Sequence, residues 1–303
     1  IANNSALGTG NVTFNGGNII ALSGGNVTVT NNITLSANAS WGANTASSYT
    51  MTWNGVISGN KDLELTASTG VTNKNIHYLN GNNTFTGNFT MGRGASVYAN
   101  RIADVGVASS LGAGSTLNLS TFGQTSTLYY TGNTAASTNR TITIAGPLVI
   151  YSNNASLTLS GSISSSGTNG LSLQGTAGGG SNYNEVSGVY SGSSTLTISS
   201  GATNDVWRIS GNNTYTGSTT VTNSATLIAA HSNAFGDTGN GTTVSINGQI
   251  LLTGGIAVGA EALTLNSVAS GSWNGQTGAA LRSYTGNNSW AGVITLSQAT
   301  TIA

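Results

Sequence analysis

Asp62 and Glu64 stand two residues apart in an alternating stretch, so a β-strand there presents both carboxyl groups on one face. Two carboxylates on one surface are the apparatus of glycoside cleavage, one as acid and the other as base or nucleophile. Lys61 beside them points instead to a solvated charge cluster. The remaining acids, Asp104, Glu185, Asp205, Asp237 and Glu261, are dispersed along the chain. His77 and His231 are the only histidines, with no second ligand at metal spacing, and there is no Cys, which argues against a zinc site, a disulfide framework and thiol chemistry. The run Gly178-Gly179-Gly180 has no Asp in register for a calcium roll. No G-x-S-x-G elbow or G-x-G-x-x-G loop occurs. These residues give no catalytic, metal or cofactor site, and the reading is a protein that is not an enzyme.

The elements that would have to position any site are strands. Val12-Thr13-Phe14, Val27-Thr28-Val29, Ile33-Thr34-Leu35, Thr141-Ile142-Thr143-Ile144, Leu157-Thr158-Leu159 and Leu196-Thr197-Ile198 alternate apolar with Thr. That is period two, one buried face and one wet face, in residue types that suit a pleated surface. Asn-Gly, Gly-Gly and Ser-Gly pairs punctuate the runs, and no window carries helical spacing with caps. The chain reads as all-β.

Internal repeats decide between architectures. Gly81-Asn82-Asn83-Thr84-Phe85-Thr86-Gly87 recurs as Gly211-Asn212-Asn213-Thr214-Tyr215-Thr216-Gly217 and as Gly286-Asn287-Asn288-Ser289-Trp290-Ala291-Gly292. Residues 81–106 align with 211–236 without a gap, and 286–303 is the third copy. The copies are unequally spaced, unlike propeller blades, which predicts one parallel β-helix (β-solenoid) over 1–303 built of irregular coils. An antiparallel β-sandwich is the alternative, because Asn247-Gly248 between Val244 and Ile250 is a good hairpin signal. In the solenoid reading Phe85, Tyr215 and Trp290 fill one structural slot, stacking along the axis, and the paired Asn residues form amide ladders or bond their own turn.

The Gly-Asn-Asn-Thr-Tyr-Thr-Gly block, followed by Thr219-Thr220-Val221, Leu227-Ile228-Ala229 and Ala234-Phe235-Gly236, resembles the passenger-associated transport repeat of bacterial autotransporters. Ser5-Ala6-Leu7-Gly8 resembles the downstream part of another copy. The resemblance implies a right-handed parallel β-helix, exported to the bacterial cell surface or the extracellular space.

Only 5% of the chain is charged and the formal net charge is zero, so the chain lacks the basic surface that nucleic acid requires. Its longest weakly apolar run is too short and too broken to insert in a membrane. Two functional classes follow. The first is a structural stalk, spacer or fibre subunit. The second is an adhesin or carbohydrate-binding module in which Tyr129, Tyr130, Tyr183 and Tyr190 grip surface glycans. Ile1 opens in the middle of patterned sequence, so the chain reads as part of a longer passenger or as a unit that stacks on copies of itself. Placing Gly292 on Gly217 and reading through Ala303 into Ile1 continues the repeat. The expected end-to-end contact uses Ile1, Leu7, Val293, Leu296 and Ile302.

Overall fold

The structure, a computed structural model, describes the chain except residues 22–25, 44–48, 68–74, 153, 169, 176–181, 202–204 and 269–272, so the glycine run 178–180 lies outside the described residues. Every regular element among the described residues is a β-strand of two to five residues. The strands wind as a parallel β-solenoid of about 10 turns. They divide into two compact units, Ile1–Val149 and Ile150–Ala303.

In the first unit three parallel sheets form the faces. One carries Val12–Phe14, Ile33–Leu35 and Ile57–Gly59. The second runs from Gly17–Ala21 through Ala39–Ala43, Leu63–Thr66, Phe89–Gly92 and Thr116–Leu119 to Thr141–Ile144. The third includes Val27–Val29, Thr50–Trp53, Ile76–Leu79, Ser96–Ala99 and Ser126–Tyr130. Alternation sorts each strand: Leu63 and Leu65 point inward while Glu64 stays half-buried on the outer face. In-register pairing then lines up Ile19, Trp41, Leu65, Met91, Leu119 and Ile144 as one buried row. Burying each such side chain contributes about 1.5–3 kcal/mol, so these rows are the main stabilising feature.

The second unit repeats the scheme, with Leu173, Ile198, Val221, Val244 and Leu265 as a buried row. Coil length varies at the corners, not in the strands. Val97 pairs with His77 on one side and with Leu128 on the other, a short coil next to a long one. That variation is why the motif copies are unequally spaced.

The sandwich alternative is wrong. Strand pairing is parallel throughout, and antiparallel contact among the described residues is confined to the isolated bridges Asn83–Ser109 and Trp273–Gln276. Thr242–Ser245 and Gln249–Thr253 lie in different sheets, so Asn247-Gly248 turns a solenoid corner instead of closing a hairpin. Ile246 and Asn247 take φ of 44° and 66° there, the left-handed region that a tight corner also demands. The dipeptide reports a turn; it does not report which strands the turn joins.

The long corner after Asn100 is held from within by Arg140, which is 1% exposed. Its guanidinium donates to the carbonyls of Leu111 (3.0 Å), Val107 (3.4 Å) and Gly112, and to Ser109 Oγ (3.3 Å). Burial lowers its pKa to about 10, against the opposing pull of Asp104, so it is charged at neutral pH.

Candidate functional site

The repeat motif is structural machinery. The second Asn of each pair accepts from a backbone N–H of the coil before, and in the first two copies it also donates to the coil after. Asn83 Oδ1 accepts from Ile57 N–H (2.8 Å) in the coil before, and its Nδ2 donates to Ser110 O (2.7 Å) in the coil after. Asn213 accepts from Tyr190 N–H (2.9 Å) and donates to Ala234 O (3.0 Å). Asn288 accepts from Ile256 N–H (2.9 Å) and donates back to Leu252 O (3.2 Å). Both expected modes occur within the motif: Asn212 Oδ1 accepts from Asn233 Nδ2 (2.8 Å) and Asn288 Nδ2 donates to Thr285 O of its own turn (3.0 Å), while Asn83 and Asn213 bolt adjacent coils together through backbone groups.

The closing glycines also have a different cause from a corner turn. A Cβ on Gly87 would lie 2.2 Å from Lys61 C, on Gly217 2.4 Å from Ser194 O, and on Gly292 1.8 Å from Glu261 O. None of the three has positive φ. Close passage of the neighbouring coil, not backbone conformation, requires Gly.

In the aromatic slot Phe85 and Tyr215 are fully buried. Tyr215 packs on Tyr190 at 4.8 Å between centroids and shares a 2.5 Å hydrogen bond with Thr219 Oγ1. Trp290 is half-buried, tilted on Phe235 at 5.0 Å, and donates its indole N–H to Glu261 O (2.6 Å).

The four tyrosines of the adhesin reading do not form one surface. Tyr130 and Tyr190 are 1% exposed, in the core, and Tyr183 packs edge-on to Trp273 at 6.3 Å. Tyr129 does face outward, but with partners that the sequence reading missed. Register aligns Tyr78, Tyr98 and Tyr129 on the outer face, with centroids 4.5 and 4.2 Å apart and planes 26° and 9° from parallel. Burial, then the neighbouring hydroxyls of Tyr129 and Tyr78, push the Tyr98 hydroxyl up to about 12. Stacked rings spend their faces on one another, so this column shows solvent its edges and hydroxyls, which is poor for gripping a sugar face.

The titratable groups separate into buried and outward sets. His77 is buried, with its Nδ1 accepting the Trp53 indole N–H (3.4 Å). Asp205 is buried, its Oδ2 accepting from Gly175 N–H (2.6 Å) and Gly201 N–H (2.8 Å). Burial raises the Glu261 pKa, and Thr242 Oγ1 donates to its Oε1 (2.7 Å). Glu185 is paired with Arg208. Asp62 and Glu64 fall on one outer face, as the spacing predicts, and line a groove of about 530 Å³. Its floor is the row Asn18, Ser40, Glu64 and Thr90; Asn38 and Asp62 lie along it, as do Thr121 and Phe122. Asp62 Oδ1 is occupied by Asn88 N–H (2.7 Å), whereas the Glu64 carboxylate takes no hydrogen bond from the described residues.

Of the residues expected at an end-to-end contact, Ile1 and Leu7 are half-buried, the amino group of Ile1 donating to Ile20 O (2.6 Å). In the other unit Val293, Leu296 and Ile302 are exposed. Ile302 reaches Leu281 by a single parallel bridge. No protein-family model, curated protein or solved structure matches the chain.

Proposed function

We propose that this protein is a structural β-solenoid of the bacterial surface or extracellular space, a stalk, spacer or fibre subunit that stacks end to end and carries no catalytic activity. One row supports the reading most directly. Val221, Val244 and Leu265 are each 0% exposed, yet Leu296, next in register, is 56% exposed. A side chain in a core row is left open, together with Val293 and Ile302. An open coil edge with apolar interior positions is a template for a further strand, from a continuation of the chain or from a second copy. The resemblance of the Gly-Asn-Asn-Thr-Tyr-Thr-Gly block to autotransporter passenger repeats supports the surface location.

Sedimentation velocity over rising concentration, with electron microscopy of the same samples, tests the stacking. Rods or filaments are expected, and Leu296→Glu with Ile302→Glu returns them to monomer at unchanged circular dichroism. A wild-type chain that stays monomeric throughout overturns it. A glycan-binding role is the second reading, favoured by the groove at Glu64.

A further inference from the structure

The groove at Glu64 has a chemistry that a stalk does not need. Asn18, Ser40, Glu64 and Thr90 sit one per strand, about 4.8 Å apart across the sheet. Farther along the same row the side chains satisfy each other: Asn118 Nδ2 donates to Thr90 Oγ1 (3.3 Å), and Thr143 Oγ1 to Asn118 Oδ1 (2.7 Å). At Glu64 they do not. A Cβ on Gly92 would lie 2.7 Å from Glu64 Oε1, 3.2 Å from Thr66 Oγ1 and 3.5 Å from Thr121 Oγ1. Any other residue there would press on the Glu64 carboxylate, so the missing side chain of Gly92 is what lets that carboxylate lie where it does. Thr121 Oγ1 is buried and has no hydrogen-bond partner among the described residues. Phe122, 44% exposed, supplies an apolar wall beside it, with the Arg93 guanidinium 4.5 Å from its ring centre.

We infer that this groove binds a neutral, extended oligosaccharide laid across the strands, with sugar hydroxyls bonded to the Glu64 carboxylate. The carboxylate accepts charge-assisted bonds from hydroxyls, and the exposed part of Phe122, one face of which Arg93 covers, lines the groove beside them. Strand spacing is close to the rise of one unit in an extended pyranose chain, so successive sugars meet successive side chains. Asp62 and Glu64 together repel an acidic glycan. A calcium ion is a poorer occupant, since it takes about six to eight oxygens and the groove's acids are Glu64 and Asp62 alone, the latter with Oδ1 already bonded to Asn88 N–H.

Calorimetric titration of the 303-residue chain with cellohexaose, chitohexaose and mannohexaose tests the inference. At least one is expected to bind, and Glu64→Gln and Gly92→Ala each weaken it about tenfold or more, the range set by one hydrogen bond to a charged group. Gly92→Ala should fold, because its φ is not left-handed and its nearest clash is the movable end of Glu64. The inference is overturned if none of the three sugars binds, if binding survives Glu64→Gln and Gly92→Ala unchanged, or if calcium chloride alone gives a heat that Glu64→Gln abolishes. None of these variants touches Leu296 or Ile302, so failure here is distinguishable from failure of the stacking proposal.

Discussion

Trp53 donates its indole N–H to Nδ1 of His77 over 3.4 Å inside the first unit, where His77 stands in register between Met51 and Val97. An imidazole that accepts there is neutral, and burial lowers its pKa from 6.5 to about 4. In the second unit burial raises Asp205 from 3.8 to about 6, against the two backbone N–H bonds that favour its anion.

The two groups act on stability with opposite sign. The unfolded chain binds a proton at His77 that the native chain refuses, so its contribution is present above pH 6.5 and is lost as pH falls toward 4. Native Asp205 holds a proton that the unfolded chain releases, so its contribution is present below pH 3.8 and is lost as pH rises toward 6. Each shift corresponds to about 3 kcal/mol. Urea unfolding of Asp205→Asn should gain about that much on wild type between pH 4 and 6, and His77→Met should gain about as much between pH 6.5 and 4. Differences that stay flat with pH would place both groups in contact with water.

The motif asparagines give a sharper mutational contrast. Asn213→Ala strips partners from Tyr190 N–H and Ala234 O, two backbone groups that then lie unpaired between coils. The expected cost is about 2–3 kcal/mol. Asn212, its exposed neighbour, bonds the Asn233 amide alone among the described residues, and Asn212→Ala should stay within about 0.5 kcal/mol. Equal effects at the two positions would mean that the coil-bridging bonds are not what the motif supplies.

Within the aromatic slot burial sets the order. Tyr215→Ala and Phe85→Ala remove rings that are 0% exposed and should each cost about 3–5 kcal/mol. Tyr215→Phe loses only the bond to Thr219, about 1 kcal/mol. Trp290→Ala should cost less than either full truncation, because its ring is half-buried. Thermal and chemical unfolding of the four variants checks the ranking, and a Trp290 effect as large as that of Tyr215 would contradict it.

Period-two alternation carried the strands into the sequence, and the repeats carried the parallel stacking. Both are local or self-comparing signals, which is why Val27–Val29 or Leu157–Leu159 could be read directly. What was not legible depends on which strand lies beside which. Tyr78, Tyr98 and Tyr129 are unevenly spaced along the chain, because the coils between them differ in length, so nothing in the sequence marks them as one column. The same holds for the groove. Asp62 and Glu64 were visible as a pair, but Thr121, Phe122 and the opening over Gly92 come from neighbouring coils. Tyr130 and Tyr190 look like surface aromatics only until register turns them inward.

Arg140 is the strongest case of a role hidden from the sequence, since a lone Arg after Asn139 reads as a solvated charge. Its buried guanidinium serves carbonyls at Val107, Leu111 and Gly112 and the hydroxyl of Ser109. These groups belong to a corner with no strand to pair them, and a corner packed inward must satisfy its carbonyls from a side chain. Arg140→Ala should therefore cost about 2–3 kcal/mol, since Leu111 O loses its charged donor and Gly112 O keeps only the Ser109 hydroxyl. Arg140→Lys should recover only part of this, because a single ammonium cannot span the planar fan of acceptors that a guanidinium reaches. Hydrogen exchange provides the local readout: the Gly106 and Ser110 amides, bonded to Ala113 O and Arg101 O, should lose protection in both variants while those of Leu63–Thr66 keep theirs. If the corner stays protected in Arg140→Ala, the backbone bonds alone hold it, and the guanidinium is a passenger of the fold, not its anchor.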